Sequence, residues 1–320
     1  MSRALKPEDT RDALRKIGVV LFAIGALMVF LRKGDDWGNF PILLVLGIPA
    51  LALYGAGVLT IKDTGGLQSW QAVSTVLGLI FIPLALMQLV DTLGGSSSSL
   101  NVFWIFGLTA AAGVYAGVVA GVRFGLLVAA IAAIVSWSAL WDKLLGDEGI
   151  GGHIGVYRGL LGILAILLIA GGVFIWRAAS DREEGLSRFS ELFTGAGISA
   201  VIACSLGITS VATVFGGVFP TPVVETNMFW DILLLVISIG LVAIGSRLGT
   251  RGPVYVGAVG LLLFLYIAGL DLNDDSPEPT KLGLWPLILL LGGGAAIAAS
   301  LSEGVSLGKR PQNLVKKTGG

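Results

Sequence analysis

The chain has 320 residues, of which 55% are hydrophobic and 13% charged, with no formal net charge at pH 7. A soluble domain carries roughly 25% charged residues, so this chain is too apolar to cover its own core in water, whereas lipid can solvate the outer face of a membrane protein. A single cysteine, Cys204, and a single histidine, His153, exclude an intrachain disulfide, a multi-cysteine metal site and paired-histidine haem ligation.

A membrane helix needs about 20 mostly apolar residues. Ten segments meet or approach that length: 17–32, 40–61, 71–90, 101–120, 124–141, 154–176, 192–218, 228–246, 253–270 and 284–302. The expected fold class is all-α, a polytopic integral membrane protein of about ten transmembrane helices. The expected layout is a cytoplasmic segment 1–16, one transmembrane domain over 17–302 and a basic cytoplasmic tail 303–320. The first segment follows Arg11, Arg15 and Lys16 as a secretory signal would, but it ends in Leu31-Arg32-Lys33 without a small-residue cleavage pattern, and reads as an uncleaved span.

Helices two and three contain Pro49 and Pro83, each of which frees a backbone carbonyl and predicts a kink. The loop Gly94 to Ser99 reads as flexible and external. Helix four carries Thr109, Gly113, Gly117 and Gly121 at four-residue spacing. That spacing is a small-residue face that lets a neighbouring helix approach backbone to backbone. Its first reading is packing within the chain; its second is self-association, or docking of a membrane-protein partner. Helix ten has a similar face around Gly292, Gly293 and Gly294. Arg123 lies in a connection of a few residues, so helices four and five form a tight hairpin.

Helix six carries Arg158 about one turn inside its outer end, and helix eight carries Asp231 at similar depth. A charge at the bilayer centre costs about 2.5–3.5 kcal/mol on insertion scales, so the two form a candidate intramembrane ion pair. Each could instead snorkel to the interface or serve a solute. Helix seven is the most polar span. Ser205, Thr209 and Thr213 repeat every four residues and make a candidate polar path. Hydroxyls bonded to carbonyls of their own helix would make it a packed interior helix instead. Glu191 is expected at the inner interface, and Asp91 and Asp142 in outer solvent. Trp137, Trp141 and Trp230 suit an outer aromatic belt, with Trp70 and Trp176 on the inner one.

The Lys/Arg bias of the loops fixes the orientation. With the N-terminus inside, inner loops and tails hold sixteen Lys or Arg, including Lys62, Arg123, Arg182 and Arg251. Outer loops hold four: Arg32, Lys33, Lys143 and Lys281. Both termini are therefore expected in the cytoplasm. Helices three, five and nine each leave the membrane at an Asp (Asp91, Asp142, Asp271) after entering from a short inner loop, which hints at a repeated hairpin. Ten spans also divide as five plus five, the inverted-repeat plan of many carriers. In size and span count the chain resembles the drug/metabolite family of small carriers. That resemblance rests on length and topology and implies a small-solute carrier.

Catalytic patterns fail on context. Gly195 to Ala200 spells a dinucleotide fingerprint but follows no strand and opens a membrane helix. Gly304 to Lys309 is one residue short of a phosphate loop. The expectation is a bacterial-type, multi-pass protein of the plasma (cytoplasmic) membrane. It needs no catalytic, metal or cofactor site, and its partner is the lipid bilayer rather than nucleic acid. Its role would be in membrane assembly, structure or regulation. The alternative is a small-solute carrier for a neutral or apolar substrate, given the interrupted helices and the hydroxyl stripe.

Overall fold

A computed structural model describes residues 7–34, 36–60, 68–96, 98–146, 153–206 and 228–271, with side-chain surroundings described over 11–265 within those ranges. Every regular element among them is a helix: α1 (Pro7–Lys33), α2 (Asn39–Leu59), α3 (Ser69–Thr92), α4 (Ser99–Val114) with a π turn Tyr115–Val119, α5 (Gly125–Leu144), α6 (Ile154–Ala178), α7 (Arg182–Ser205), α8 (Met228–Leu248) and α9 (Arg251–Asp271). Seven of the described helices are long and apolar enough to cross a membrane, namely α1 to α6 and α8. At 1.5 Å per residue, about 20 residues match the roughly 30 Å hydrocarbon core. The expected span 284–302, the tail 303–320 and residues 1–6 lie outside the described residues, whereas residues 7–16 of the expected cytoplasmic segment form the start of α1. The chain divides into units Met1–Phe264 and Leu265–Gly320; the helix hairpins and their contacts belong to the first.

The helices pack chiefly as sequence-adjacent hairpins, α2 on α3, α4 on α5 and α6 on α7. In the fourth pair, Gly245 of α8 faces Val254 of α9 and Gly257 faces the Ser238 carbonyl. Apolar side chains gain nothing by leaving lipid for one another, so membrane helices associate through close packing and interhelical hydrogen bonds. Both are present. A Cβ on Gly113 of α4 would lie 2.9 Å from the Gly125 carbonyl oxygen of α5, and one on Gly78 of α3 would lie 2.5 Å from the Tyr54 amide nitrogen of α2. Across three hairpins a serine on the second helix donates to a carbonyl on the first: Ser74 to Leu53 (2.8 Å), Ser136 to Phe103 (2.8 Å) and Ser199 to Leu161 (2.9 Å).

Contacts between hairpins follow the same rule. Tyr54 donates to the Ala112 carbonyl at 2.9 Å and the Trp137 indole to the Leu160 carbonyl at 3.0 Å. Helix α1 packs on α2 and α3 through Ala23, Ala26 and Phe30. Its other sides, with Leu21, Met28 and Leu31, are exposed. Pro49 and Pro83 sit inside α2 and α3, which run through them as continuous helices.

Two local features differ from expectation. The π turn at the end of α4 admits an extra residue per turn and breaks the four-residue register after Gly117. Gly121 therefore falls beyond the helix with φ 67°, the left-handed conformation that glycine adopts without strain. Asp142, expected in outer solvent, instead accepts from Ser99 at 2.6 Å and from the Tyr157 hydroxyl at 3.2 Å. It ties together the start of α4, the end of α5 and the start of α6.

The close approach at Gly113 sets a test. G113A should lower stability in detergent by about 1–3 kcal/mol through overpacking. G159A, at a position with open space around it, should leave stability unchanged; equal effects of the two would contradict backbone-to-backbone packing of α4 on α5.

Candidate functional site

The first half of α7 is charged and the second half apolar, which is why the helix begins at Arg182 rather than at Leu192, where the apolar run starts. Asp181 caps it by accepting from the Glu183 amide at 3.0 Å, and Glu183 and Glu184 in its first turn complement the positive end of the helix dipole. Gly185 brings it against α6, where an added Cβ would lie 3.0 Å from the Trp176 ring. Phe189 then stacks between Trp176 of α6 and Phe193 one turn on.

This charged half reaches the turn between α4 and α5 and satisfies backbone groups on both sides of it. Arg188 Nη2 donates to the Val118 carbonyl at 3.1 Å, at the frayed end of α4, and to Glu184 Oε1 at 2.6 Å. Glu191 Oε2 accepts from the amides of Leu126 (3.1 Å) and Leu127 (3.4 Å), the first free N–H groups of α5. Helix α5 has no cap of its own, because Phe124 occupies that position with no side-chain cap bond and φ 68°. A left-handed non-glycine residue is strained, and here it turns successive amides toward one carboxylate. Burial, the largest influence on Glu191, pushes its pKa above 4.5, while the amides of Phe124, Leu127 and Leu126 and the charge of Arg188 pull it down.

An open cleft of about 320 Å³ sits at this junction, lined by Gly117, Gly121, Arg123, Glu184, Arg188 and Glu191 among others. Its carboxylates and guanidinium groups are paired or face solvent. Chemically it is a solvated mixed-charge surface at the end of the bundle where α5 and α7 begin. Among the described residues no group of His, Cys, Asp and Glu is arranged to hold a metal ion.

At the opposite end, Arg158 of α6 is only 7% exposed, and its guanidinium lies over the Trp230 ring of α8 at 4.9 Å. The Asp231 carboxylate and the Cys204 thiol lie close enough to interact with it electrostatically. Its Nε–H is buried without a hydrogen-bond partner. Trp230 in turn meets Phe229 edge to face at 5.5 Å. Of the candidate polar path, Ser205 is buried and donates to the Ile202 carbonyl of its own helix at 3.1 Å; Thr209 and Thr213 lie outside the described residues. Gly113 and Gly117 face α5, and Gly121 lines the cleft instead.

The capping roles of Arg188 and Glu191 were not legible in the sequence. The Glu184–Arg188 spacing of four signals only a helical ion pair, and nothing local connects either residue to the α4–α5 turn. No protein-family model, curated protein or solved structure matches the chain, so its likeness in size to drug/metabolite carriers has no matching motif or fold beside it.

A carboxyl whose folded pKa is raised adds stability when protonated, and that contribution is lost as pH rises through the folded pKa. The wild type should therefore gain stability relative to E191Q as pH falls through that raised value toward 4.5. E191Q should be at least as stable as the wild type at pH 7. E191A leaves two helix-start amides without an acceptor and should cost about 1–2 kcal/mol. Unfolding in detergent across that pH range checks all three; parallel pH profiles for wild type and E191Q would contradict the burial of Glu191.

Proposed function

We propose that this chain is a ten-span protein of the cytoplasmic membrane, with both termini in the cytoplasm, that works without catalysis as an assembly, structural or regulatory component. The observation that carries this reading is how the interior polar groups are used. Ser74, Ser136 and Ser199 are each closed on a carbonyl across a hairpin, and Ser205 on its own helix. Among the described residues Ser238 Oγ and Thr250 Oγ1 are buried without a partner; the closed hydroxyls hold helices together rather than offering a row of free donors to a passing solute. The small-residue face of α4 is likewise occupied by α5 of the same chain through Gly113 and Gly117. Docking of a membrane partner then falls to surfaces other than that face.

The second reading is a carrier for a neutral or apolar solute. It is favoured by the cleft beside the α4–α5 turn, which would serve as an inner vestibule. Transport would require the α7 contacts at Val118, Leu126 and Leu127 to open.

Two measurements separate these readings. Proteoliposomes should take up glycerol and glucose no faster than protein-free vesicles; uptake several-fold faster, slowed by locking α7 to the α4–α5 turn, would favour the carrier. In a C204S background, S2C and T318C should react with an impermeant maleimide only after the inner face is opened, and S97C without opening. Labelling of the two termini from opposite sides would overturn the span count.

A further inference from the structure

The surroundings of Arg158 balance its charge but leave its hydrogen bonding incomplete. A guanidinium carries five N–H donors and accepts nothing. Negative potential comes from Asp231, and Cys204 in the last turn of α7 also interacts electrostatically with the guanidinium. The Trp230 ring covers one face with a cation–π contact. None of these gives the buried Nε–H an acceptor, and an unsatisfied buried donor costs about 1–3 kcal/mol. What is missing is an acceptor oxygen on a group of no net charge, because an added anion would meet the field of Asp231.

The position narrows the chemistry further. Arg158 lies one turn from the start of α6, and Trp230 and Asp231 lie in the first turn of α8. Both are helix ends that the Lys/Arg bias assigns to the outer side. Val156 and Phe229 beside them are 46% and 61% exposed, a lipid-facing surface through which a ligand arrives sideways. We propose that Arg158, Trp230 and Asp231 form a binding site for the headgroup of a zwitterionic phospholipid. Its phosphodiester or ester oxygen accepts from Arg158. Its ammonium sits against Asp231 and the Trp230 face, and its acyl chains run along Phe229 and Val156. Because the Nε–H is sealed, binding parts the stack of Arg158 on Trp230. An anionic headgroup such as a phosphoglycerol lacks the ammonium and brings a net charge that Asp231 repels.

The inference rests on α6 and α8 crossing the bilayer, not on the assembly role or on which face is outer. The full chain is reconstituted into nanodiscs of equal parts phosphatidylethanolamine and phosphatidylglycerol. It is then extracted in mild detergent, and the retained lipid is measured by mass spectrometry. Wild type should retain phosphatidylethanolamine over phosphatidylglycerol by about threefold relative to the bulk, the scale of a partly desolvated charge contact. R158Q should return the ratio to the bulk value, and D231N should shift it toward phosphatidylglycerol. A bulk ratio in wild type, an unchanged ratio in R158Q or an unchanged ratio in D231N would overturn the proposal. Should R158Q fail to fold, D231N decides alone. Reversed termini or measurable solute uptake would leave the lipid ratio as stated, so failure of the proposed function and failure of this site read out separately.

Discussion

Hydrocarbon offers no hydrogen-bond partner, so every backbone N–H and C=O within the membrane must be satisfied by the protein itself. That constraint explains the uniformly helical fold of the described residues and also the way the helices join. Hydrophobic burial does not drive helix association in lipid as it does in water, and contacts of shape and hydrogen bonding take its place. Glycine supplies the shape at Gly78, Gly113 and Gly245, where neighbouring backbones come close enough to leave no room for a side chain. Serine supplies the bonds, from Ser74, Ser136 and Ser199 to carbonyls that already belong to helices. Each carbonyl has a second lone pair, so these clips strengthen a hairpin without taking a partner from the helix ladder.

The same constraint acts most strongly where helices end, because the last turns leave groups unpaired. At one end of the bundle, α4 unwinds through a π turn and α5 starts without a cap of its own. Helix α7 supplies both missing partners from its charged first half, an arginine for the carbonyl and a glutamate for the amides. At the opposite end Asp142 instead links side chains, accepting from the hydroxyls of Ser99 and Tyr157. Arg188 and Glu191 thus serve the ends of helices other than their own. Arg158 differs, since its charge lies against an aromatic face and its Nε–H finds no acceptor.

Where a property follows from the length of an apolar run, the sequence discloses it. The expected segment 154–176 corresponds to Ile154–Ala178, and 124–141 to Gly125–Leu144, because lipid solvates a contiguous stretch and its edges are marked by charge. The start of α7 was hidden for the complementary reason. Residues from Arg182 to Glu191 are too polar to register as a span, yet they continue the helix because α6 and the α4–α5 turn hold them. The fate of Gly121 was hidden because a π turn has no composition signature, and that of Asp142 because its partners come from two other helices. Arg158 and Asp231 were visible as misplaced charges, but the stack on Trp230 depends on how α6 and α8 lie side by side.

The fold depends throughout on lipid being the solvent for the exposed faces of α1 to α6 and α8. Alkaline carbonate extraction of membranes from expressing cells tests that dependence most directly. The chain should stay with the membrane pellet and be released only by detergent. Recovery of folded, monodisperse protein in the aqueous supernatant would contradict it.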